Sequence, residues 1–353
     1  MKTILKWPGG KEKELPIIRE NMPEYSGRFI EPFVGGGAVY FDVNKTDCCI
    51  NDKSAELINF YNCIKQREPD LSKYLQIEND EFSLLGTLAD SHSQELLYLY
   101  NSELSIADFI LRFEDIFSSI AQDDHSVFIK ELDKNLSNKI KRSHKLETEQ
   151  GPLPDADRLD NIEAALKSAY YMYIRYLQNK RSEFSAGRRA ALFFFVREFC
   201  YSSMFRYNAQ GEFNVPYGGI SYNRKDFQKK INYILSPCIG QKLSNTQIYN
   251  LDFEDFLQHL ELTKDDFIFL DPPYDSDFST YAQNAFGPKE QIRLCECLKR
   301  TRARLLLIIK NTEFIYNLYK NYFNIKSFDK KYLVSFMNRN EKKVKHLLIT
   351  NYS

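Results

Sequence analysis

Phe267-Ile268-Phe269-Leu270-Asp271-Pro272-Pro273-Tyr274 runs four apolar residues into an acid, two prolines and an aromatic ring. Four apolar residues bounded by turn formers read as a short buried strand, and ligand sites in open α/β sheets lie outside the carboxyl ends of such strands. The two prolines fix φ and carry no N–H, so the carbonyls of this loop can be offered outward to a substrate amine. Asp271 accepts hydrogen bonds when ionised, and Tyr274 presents a flat ring; a planar base with an exocyclic amine suits that pair. An Asp-Pro-Pro turn after a strand is also ordinary turn chemistry, so the rest of the chain has to decide between the two.

Working outward, Phe29-Ile30-Glu31-Pro32-Phe33-Val34-Gly35-Gly36-Gly37-Ala38 is a strand-like run that enters three glycines. The following residues, Val39 to Val43, can begin a helix. Glycines at a strand-to-helix turn allow close backbone approach to a ligand. A dinucleotide fingerprint would need glycine at the sixth position of this loop, where Tyr40 stands, and a P-loop would need a following Gly-Lys-Ser/Thr. Asp52 ends the next apolar segment, Cys48 to Asp52, where an acid can hold a ribose diol or simply cap the following helix. Near the start, Leu5-Lys6-Trp7-Pro8-Gly9-Gly10-Lys11 places the single Trp in a turn beside a Lys. That turn is either a structural anchor or a stacking surface with a cation for an anionic ligand.

Together and in this order, these segments resemble the DNA adenine-N6 methyltransferases of the Dam family. Lys6-Trp7-Pro8-Gly9-Gly10-Lys11 is similar to that family's KWxGGK box, and Glu31 to Gly37 to its EPFVGGG methyl-donor loop. Asn51-Asp52 resembles its ribose-binding strand end, and Asp252-Phe253 the acidic-aromatic pair beside the cofactor adenine. Phe205 to Gly218 resembles the RYNxxGEFNVPFG hairpin, and Leu347 to Tyr352 the family's final strand. The resemblance covers residues 1 to 65 and 195 to 353, and 66 to 194 match nothing recognisable. Ser202-Ser203-Met204 replaces the family's Asn-Gly-Leu, and Ile308 to Asn311 a more usual Leu-Ser-Asn.

The resemblance implies an α/β fold: a Rossmann-like class I methyltransferase sheet with an inserted, mostly helical target-recognition domain carrying a β-hairpin. Residues 1–65 and 230–353 are then the catalytic domain and 66–229 the insertion. It implies S-adenosyl-L-methionine as cofactor, double-stranded DNA as substrate and, as a further partner, a cognate restriction endonuclease. Asp271, Pro272, Pro273 and Tyr274 are its catalytic positions. Trp7, Lys11, Glu31, Pro32, Phe33, Gly35, Gly37, Asp52, Asp252, Phe253 and Asp271 fall on the cofactor, and Ser202, Met204, Arg206, Asn208, Asn214, Pro216 and Tyr217 on DNA. Arg206 can meet a guanine edge bidentately, and Asn208 or Asn214 can address adenine or phosphates. The bland reading of the same stretch is a glycine-turned hairpin whose polar residues satisfy their own backbone.

Composition is compatible with this but does not point to it. Forty-eight Lys and Arg balance forty-eight Asp and Glu, which argues against a uniformly basic DNA binder. The charge is uneven, with acids dominating Glu68 to Asp133 and bases enriched over Lys139 to Arg197 and Lys320 to Lys345. Seven cysteines form no CxxC pair, and the five histidines do not join them at ligand spacing, so no metal is expected. Free thiols without a signal peptide or long apolar span point to the cytoplasm of a bacterial or phage-type system, near the nucleoid, with no membrane partner. Pro237-Cys238 is the nucleophile pattern of cytosine-C5 enzymes, set against the Asp-Pro-Pro-Tyr loop. An RNA or protein N-methyltransferase and a non-catalytic DNA-binding relative are the readings from other classes. Helical spacing runs over Pro69–Leu75, Gln94–Tyr100, Ile106–Phe117, Ser126–Leu136 and Asn161–Leu177, with Gly151-Pro152-Leu153-Pro154 as a break.

Overall fold

The computed structural model describes residues 1–273, 286–331 and 343–353. The chain divides into two compact units, Met1–Gln66 with Pro237–Ser353, and Arg67–Ser236.

The first unit is built on one seven-stranded sheet: β1 Phe29–Glu31, β2 Cys48–Asn51, β3 Thr246–Tyr249, β4 Phe267–Leu270, β5 Arg304–Lys310, β6 Asn324–Lys331 and β7 Lys343–Thr350. Their order is β3-β2-β1-β4-β5-β7-β6, parallel from β3 to β5, with β7 antiparallel to both β5 and β6. Strands β1, β2 and β4 are buried at every residue, which is why they read as unbroken apolar runs. The unit's helices are α1 Leu15–Asn21, α2 Ala55–Gln66, α11 Pro237–Ser244, α12 Phe253–His259, α13 Pro288–Lys299 and α14 Glu313–Tyr319. On one sheet face Ile30, Ile268, Leu270, Leu305, Leu307 and Ile349 pack against Phe253, Phe256, Leu257, Leu294, Leu298 and Ile315. Val39 to Val43 form turns instead of the helix start expected. Val43 N–H reaches Val39 in helical fashion, but Asp42 N–H also bonds Val39, and the chain enters β2 five residues later.

Strand order turns back at β1 and β4: β1 continues to β2 on one side, β4 to β5 on the other, so a crevice opens outside their carboxyl ends. The amino ends are tied by a salt bridge. Asp266 accepts from the Arg28 backbone N–H at 2.9 Å, from its Nε at 3.1 Å and from its Nη2 at 2.9 Å, and from Thr263 N–H at 2.9 Å.

The second unit is helical: α3 Pro69–Ser91, α4 Ser93–Tyr100, α5 Ile106–Arg112, α6 Glu114–Ser119, α7 His125–Gln150, α8 Asp155–Asn179, α9 Ala186–Phe199 and α10 Phe227–Ile234. Where one helix was expected over Ile106–Phe117 there are two, broken at Phe113, whose N–H bonds Phe109 while its carbonyl starts the next turn to Ile116. The Gly151-Pro152-Leu153-Pro154 break is the α7–α8 turn, closed by Glu147, which accepts from Leu153 N–H at 2.9 Å and Arg158 Nε at 3.0 Å. Phe82, Phe195, Phe199 and Phe227 form an aromatic core, with Phe82 and Phe199 ring centroids 4.4 Å apart.

Burial alone would raise the Asp266 carboxyl, but the bonds from Arg28 and Thr263 outweigh it and hold the group at about 2. A depressed acid contributes stability above its unfolded value, and that contribution is lost as pH falls through the folded value. Asp266→Asn is therefore expected to destabilise the protein by about 2 kcal/mol at neutral pH. Urea titrations of the two proteins should converge as pH drops from about 4 to about 2.

Candidate active site

The crevice outside β1 and β4 collects most of the residues singled out in the first unit. Asp271 follows β4 directly, and its carboxylate forms an ion pair with the Lys11 ammonium, which is buried and also donates to Gly9 O at 2.8 Å. Residues 260 apart in sequence thus meet because the N-terminal Trp7–Lys11 turn lies against the glycine loop. Pro272 is buried and Pro273 exposed, its carbonyl accepting from Gln291 Nε2 at 3.4 Å. Tyr274, the fourth catalytic candidate, lies outside the described residues.

Glu31 ends β1, 2% exposed, and its Oε2 has no hydrogen-bond partner among the described residues. Burial pushes its carboxyl well above the usual range; the negative charges of Asp271 and Asp52 add to that, while the Tyr40 N–H and Lys11 oppose it. Past Pro32 and Phe33 the chain turns through Gly35 at φ +49° and Gly37 at φ +74°. A Cβ on Gly35 would stand 2.7 Å from the Trp7 ring, and one on Gly37 2.7 Å from the Tyr61 hydroxyl, so both positions exclude side chains twice over. Trp7 thus backs the glycine loop. Gly35 N–H donates to Asp52 Oδ2 at 3.0 Å and Ser54 N–H to Oδ1 at 2.9 Å. Burial raises the Asp52 carboxyl against the pull of those N–H groups.

Asp252 caps α12, accepting from Glu254 N–H at 3.0 Å, and also accepts from Arg293 Nη2 at 2.5 Å. The next ring, Phe253, lies 5.6 Å from both Phe33 and Phe286, so the three aromatics form one cluster. The structural roles of two groups here, Asn51 and Tyr61, were not foreseen. Asn51 bonds Pro32 O at 3.0 Å and Leu251 O at 3.1 Å, and accepts from Leu251 N–H at 2.8 Å, fastening the outgoing ends of β1, β2 and β3 together. The Tyr61 hydroxyl donates to Gly35 O at 3.0 Å. A lone amide ending a buried strand was the available signal for Asn51; nothing local marks Tyr61. Cys238 sits exposed on α11, ahead of β3 and not on the loop after β4.

In the second unit, Arg206 to Asn214 close a short antiparallel hairpin with one bridge, Tyr207 to Phe213, and no longer ladder. Arg206 donates through Nε to Asn214 Oδ1 and through Nη2 to Asn214 O, both at 2.8 Å. Asn208 accepts from Gln210 and Glu212 N–H and donates to Glu212. Ser202 and Ser203 are both in the left-handed region, at φ +51° and +52°. That turn is held from inside by Arg197, 1% exposed, which donates to Ser203 O at 2.7 Å and Met204 O at 2.8 Å and stacks on Phe205 at 3.6 Å. Arg197 also escaped the sequence reading, although a charge inside the apolar run of α9 was a signal. Pro216 is exposed, whereas Tyr217 is buried against Phe82 and Tyr171.

Among the described residues no group of three or more His, Cys, Asp or Glu is placed to hold a metal ion, and no helix is long and apolar enough to cross a membrane.

Residues 7–83 and 134–334 match the family of D12 class N6 adenine-specific DNA methyltransferases, so the expectation that 66 to 194 match nothing is corrected for 66–83 and 134–194. The type II methyltransferase M.CviBI of Paramecium bursaria Chlorella virus NC1A is 28% identical, covering 100% of both chains. The type II methyltransferase M.MjaIII of Methanocaldococcus jannaschii is 27% identical over 100% of this chain and 99% of its own. The DNA adenine methylase of Escherichia coli K12 is 22% identical over 84% of this chain and 74% of its own. The reaction is transfer of a methyl group from a methyl donor to N6 of adenine in DNA, and the chain belongs to the D12 class of N6 adenine-specific DNA methyltransferases.

Proposed function

We propose that this enzyme takes S-adenosyl-L-methionine as donor and double-stranded DNA as substrate, and that the target adenine leaves the duplex before it is methylated. The observation that carries this is the buried cluster at the crevice: Lys11 paired with Asp271, beside Glu31 with an orphaned carboxyl oxygen and Asp52 aligned by Gly35. The donor set fits the cofactor. Glu31 Oε2 can receive an ammonium, Asp52 a ribose diol, and Asp252 with Phe33 and Phe253 a purine, while the close-packed glycines leave the loop backbone free of side chains. Bound there, S-adenosyl-L-methionine supplies a methyl group already activated on sulfonium.

The remaining chemistry belongs to the chain. Extruding a base costs roughly a few kcal/mol, and stacking on an aromatic returns about 1–3 kcal/mol. Tyr274 is the candidate surface. The N6 lone pair is delocalised into the ring; hydrogen bonds from the amine to Asp271 and the Pro272 carbonyl favour tetrahedral nitrogen and stabilise the positive charge that develops. Holding donor and acceptor in line supplies much of the rest, without a covalent enzyme intermediate.

We assign DNA reading to the second unit. The Arg206 guanidinium carries five N–H donors, and two go to Asn214, which fixes its plane for a guanine edge. Ser202, Met204, Asn208, Asn214 and Pro216 flank it on the same segment; the buried Tyr217 supports the segment from below. Place of action is then wherever the chromosome or phage DNA is kept. Type II names among the relatives favour the modification half of a restriction–modification pair over a solitary methylase.

Labelled methyl transfer from S-adenosyl-L-methionine to unmethylated genomic DNA, read by single-molecule sequencing, should give N6-methyladenine in one sequence motif. Label in RNA or protein instead would overturn the substrate assignment. Asp271→Asn, nearly isosteric, is expected to reduce transfer at least about 100-fold while cofactor and DNA still bind; retained turnover would remove Asp271 from the mechanism. Arg197→Met leaves the Ser203 and Met204 carbonyls without their donor. Gel-shift assays should show DNA binding weakened by about tenfold, with cofactor affinity within about twofold of the parent.

A further inference from the structure

We infer that Arg293 is a positioning residue for the base of the methyl donor, acting through Asp252 and Phe253; this rests on the proposed reading that those two residues receive the cofactor's adenine. Arg293 projects from α13 and meets three carboxylates: Asp252 Oδ1 at 2.5 Å, Glu290 at 3.0 Å and Glu254 at 3.3 Å. Its guanidinium carbon also lies 4.5 Å from the centre of the Phe253 ring.

The geometry at Asp252 is lopsided. Oδ1 takes both the Glu254 N–H, at 3.0 Å, and the Arg293 Nη2, whereas Oδ2 takes no hydrogen bond among the described residues. A carboxylate pinned through one oxygen by a helix cap and a guanidinium cannot rotate freely, so its second oxygen keeps a fixed direction. A fixed acceptor beside an aromatic cluster selects a flat ligand with an N–H at its edge, and rejects one with a carbonyl there, because two acceptors would then face each other. Arg293 covers one side of Phe253, and Phe33 and Phe286 pack against it at 5.6 Å. The arginine therefore holds both halves of the recognition pair, the acceptor and the ring. Glu254 and Glu290 hold the arginine in turn, and two acids in excess of what Asp252 needs keep its side chain, 37% exposed, from swinging into solvent. A lysine would keep the charge but lose the planar fork and the stacking.

The test is calorimetric binding of S-adenosylhomocysteine and of S-inosylhomocysteine, in which a 6-carbonyl replaces the 6-amine, to the parent, Arg293→Ala and Arg293→Lys, with thermal melting as the fold control. The parent should prefer the adenosyl ligand by at least about tenfold. Arg293→Ala should bind S-adenosylhomocysteine about three- to tenfold more weakly, lose most of the discrimination between the two ligands and melt close to the parent, with Arg293→Lys in between. Uniform weakening with discrimination intact would reduce Arg293 to a structural residue and overturn the inference. Tighter binding in Arg293→Ala would also overturn it, because Arg293 would then be competing for Asp252. A parent that binds S-adenosylhomocysteine without preferring it over the inosyl form would instead sink the assignment of Asp252 to the adenine, and the inference with it.

Discussion

Adjacent parallel placement of β1 and β4 is the constraint on which the first unit depends. Arg28 and Asp266 clamp the strands at their amino ends, with the Phe267 N–H donating to Arg28 O at 2.9 Å, and from that clamp the two strands run only three and four residues to their carboxyl ends. Strands this short leave little freedom in where Glu31 and Asp271 emerge. Because β1 hands on to β2 and β4 to β5 on opposite sides, a crevice opens at their carboxyl ends. The sheet thus delivers two acids to one opening, and the N-terminal turn, carrying Lys11, supplies the cation.

Electrostatics then explain why the glycine loop has the form it does. Glu31, Asp52 and Asp271 are brought close enough that burial and mutual repulsion raise Glu31 and burial raises Asp52. Three acids in one crevice are tolerable only with compensation: Lys11 beside Asp271, the Gly35 and Ser54 N–H groups on Asp52, and the Tyr40 N–H on Glu31. Donating its N–H to Asp52 while its carbonyl accepts from Tyr61 requires Gly35 to turn through positive φ against the Trp7 ring. The conformation of the loop and the charge arrangement are therefore one constraint, and a cationic ligand entering beside Glu31 would relieve rather than add to the repulsion.

What the sequence made legible follows from the same physics. Strands buried on both faces announce themselves as apolar runs, so Phe267–Leu270 was read to the residue, and the groups at their ends, Glu31, Asp52 and Asp271, could be ranked as site candidates. Local patterns carry no information about distant partners, which is why the bonds from Asn51 to Leu251, 200 residues on, and from Tyr61 to Gly35, 26 residues back, went unread. Arg293 stands in a helix rich in charge, where a solvated face is the ordinary reading. Helix α3 extends to Ser91 rather than Leu75 because the buried Glu78 and Asn79 interrupt its apolar period without ending the helix. Val39 to Phe41 are all buried, and an apolar stretch of that length does not distinguish a helix from packed turns.

The hairpin of the second unit satisfies its own polar groups, which was the bland reading of Phe205 to Gly218, yet that does not count against a role in recognition. A guanidinium already bonded to Asn214 at two points has lost much of its rotamer freedom before any ligand arrives, so less remains to be lost on binding. The same holds for the Ser202–Ser203 turn: two non-glycine residues at positive φ are costly, and Arg197, buried and bonded to the carbonyls of Ser203 and Met204, is what offsets the strain. A buried arginine dedicated to shaping an exposed, irregular segment has no use in a helical core that Phe82, Phe195 and Phe199 already fill. Its presence makes sense if the shape of that segment matters to the protein, because Arg197 commits two hydrogen bonds to the Ser203 and Met204 carbonyls and a stacking contact to Phe205 to hold it.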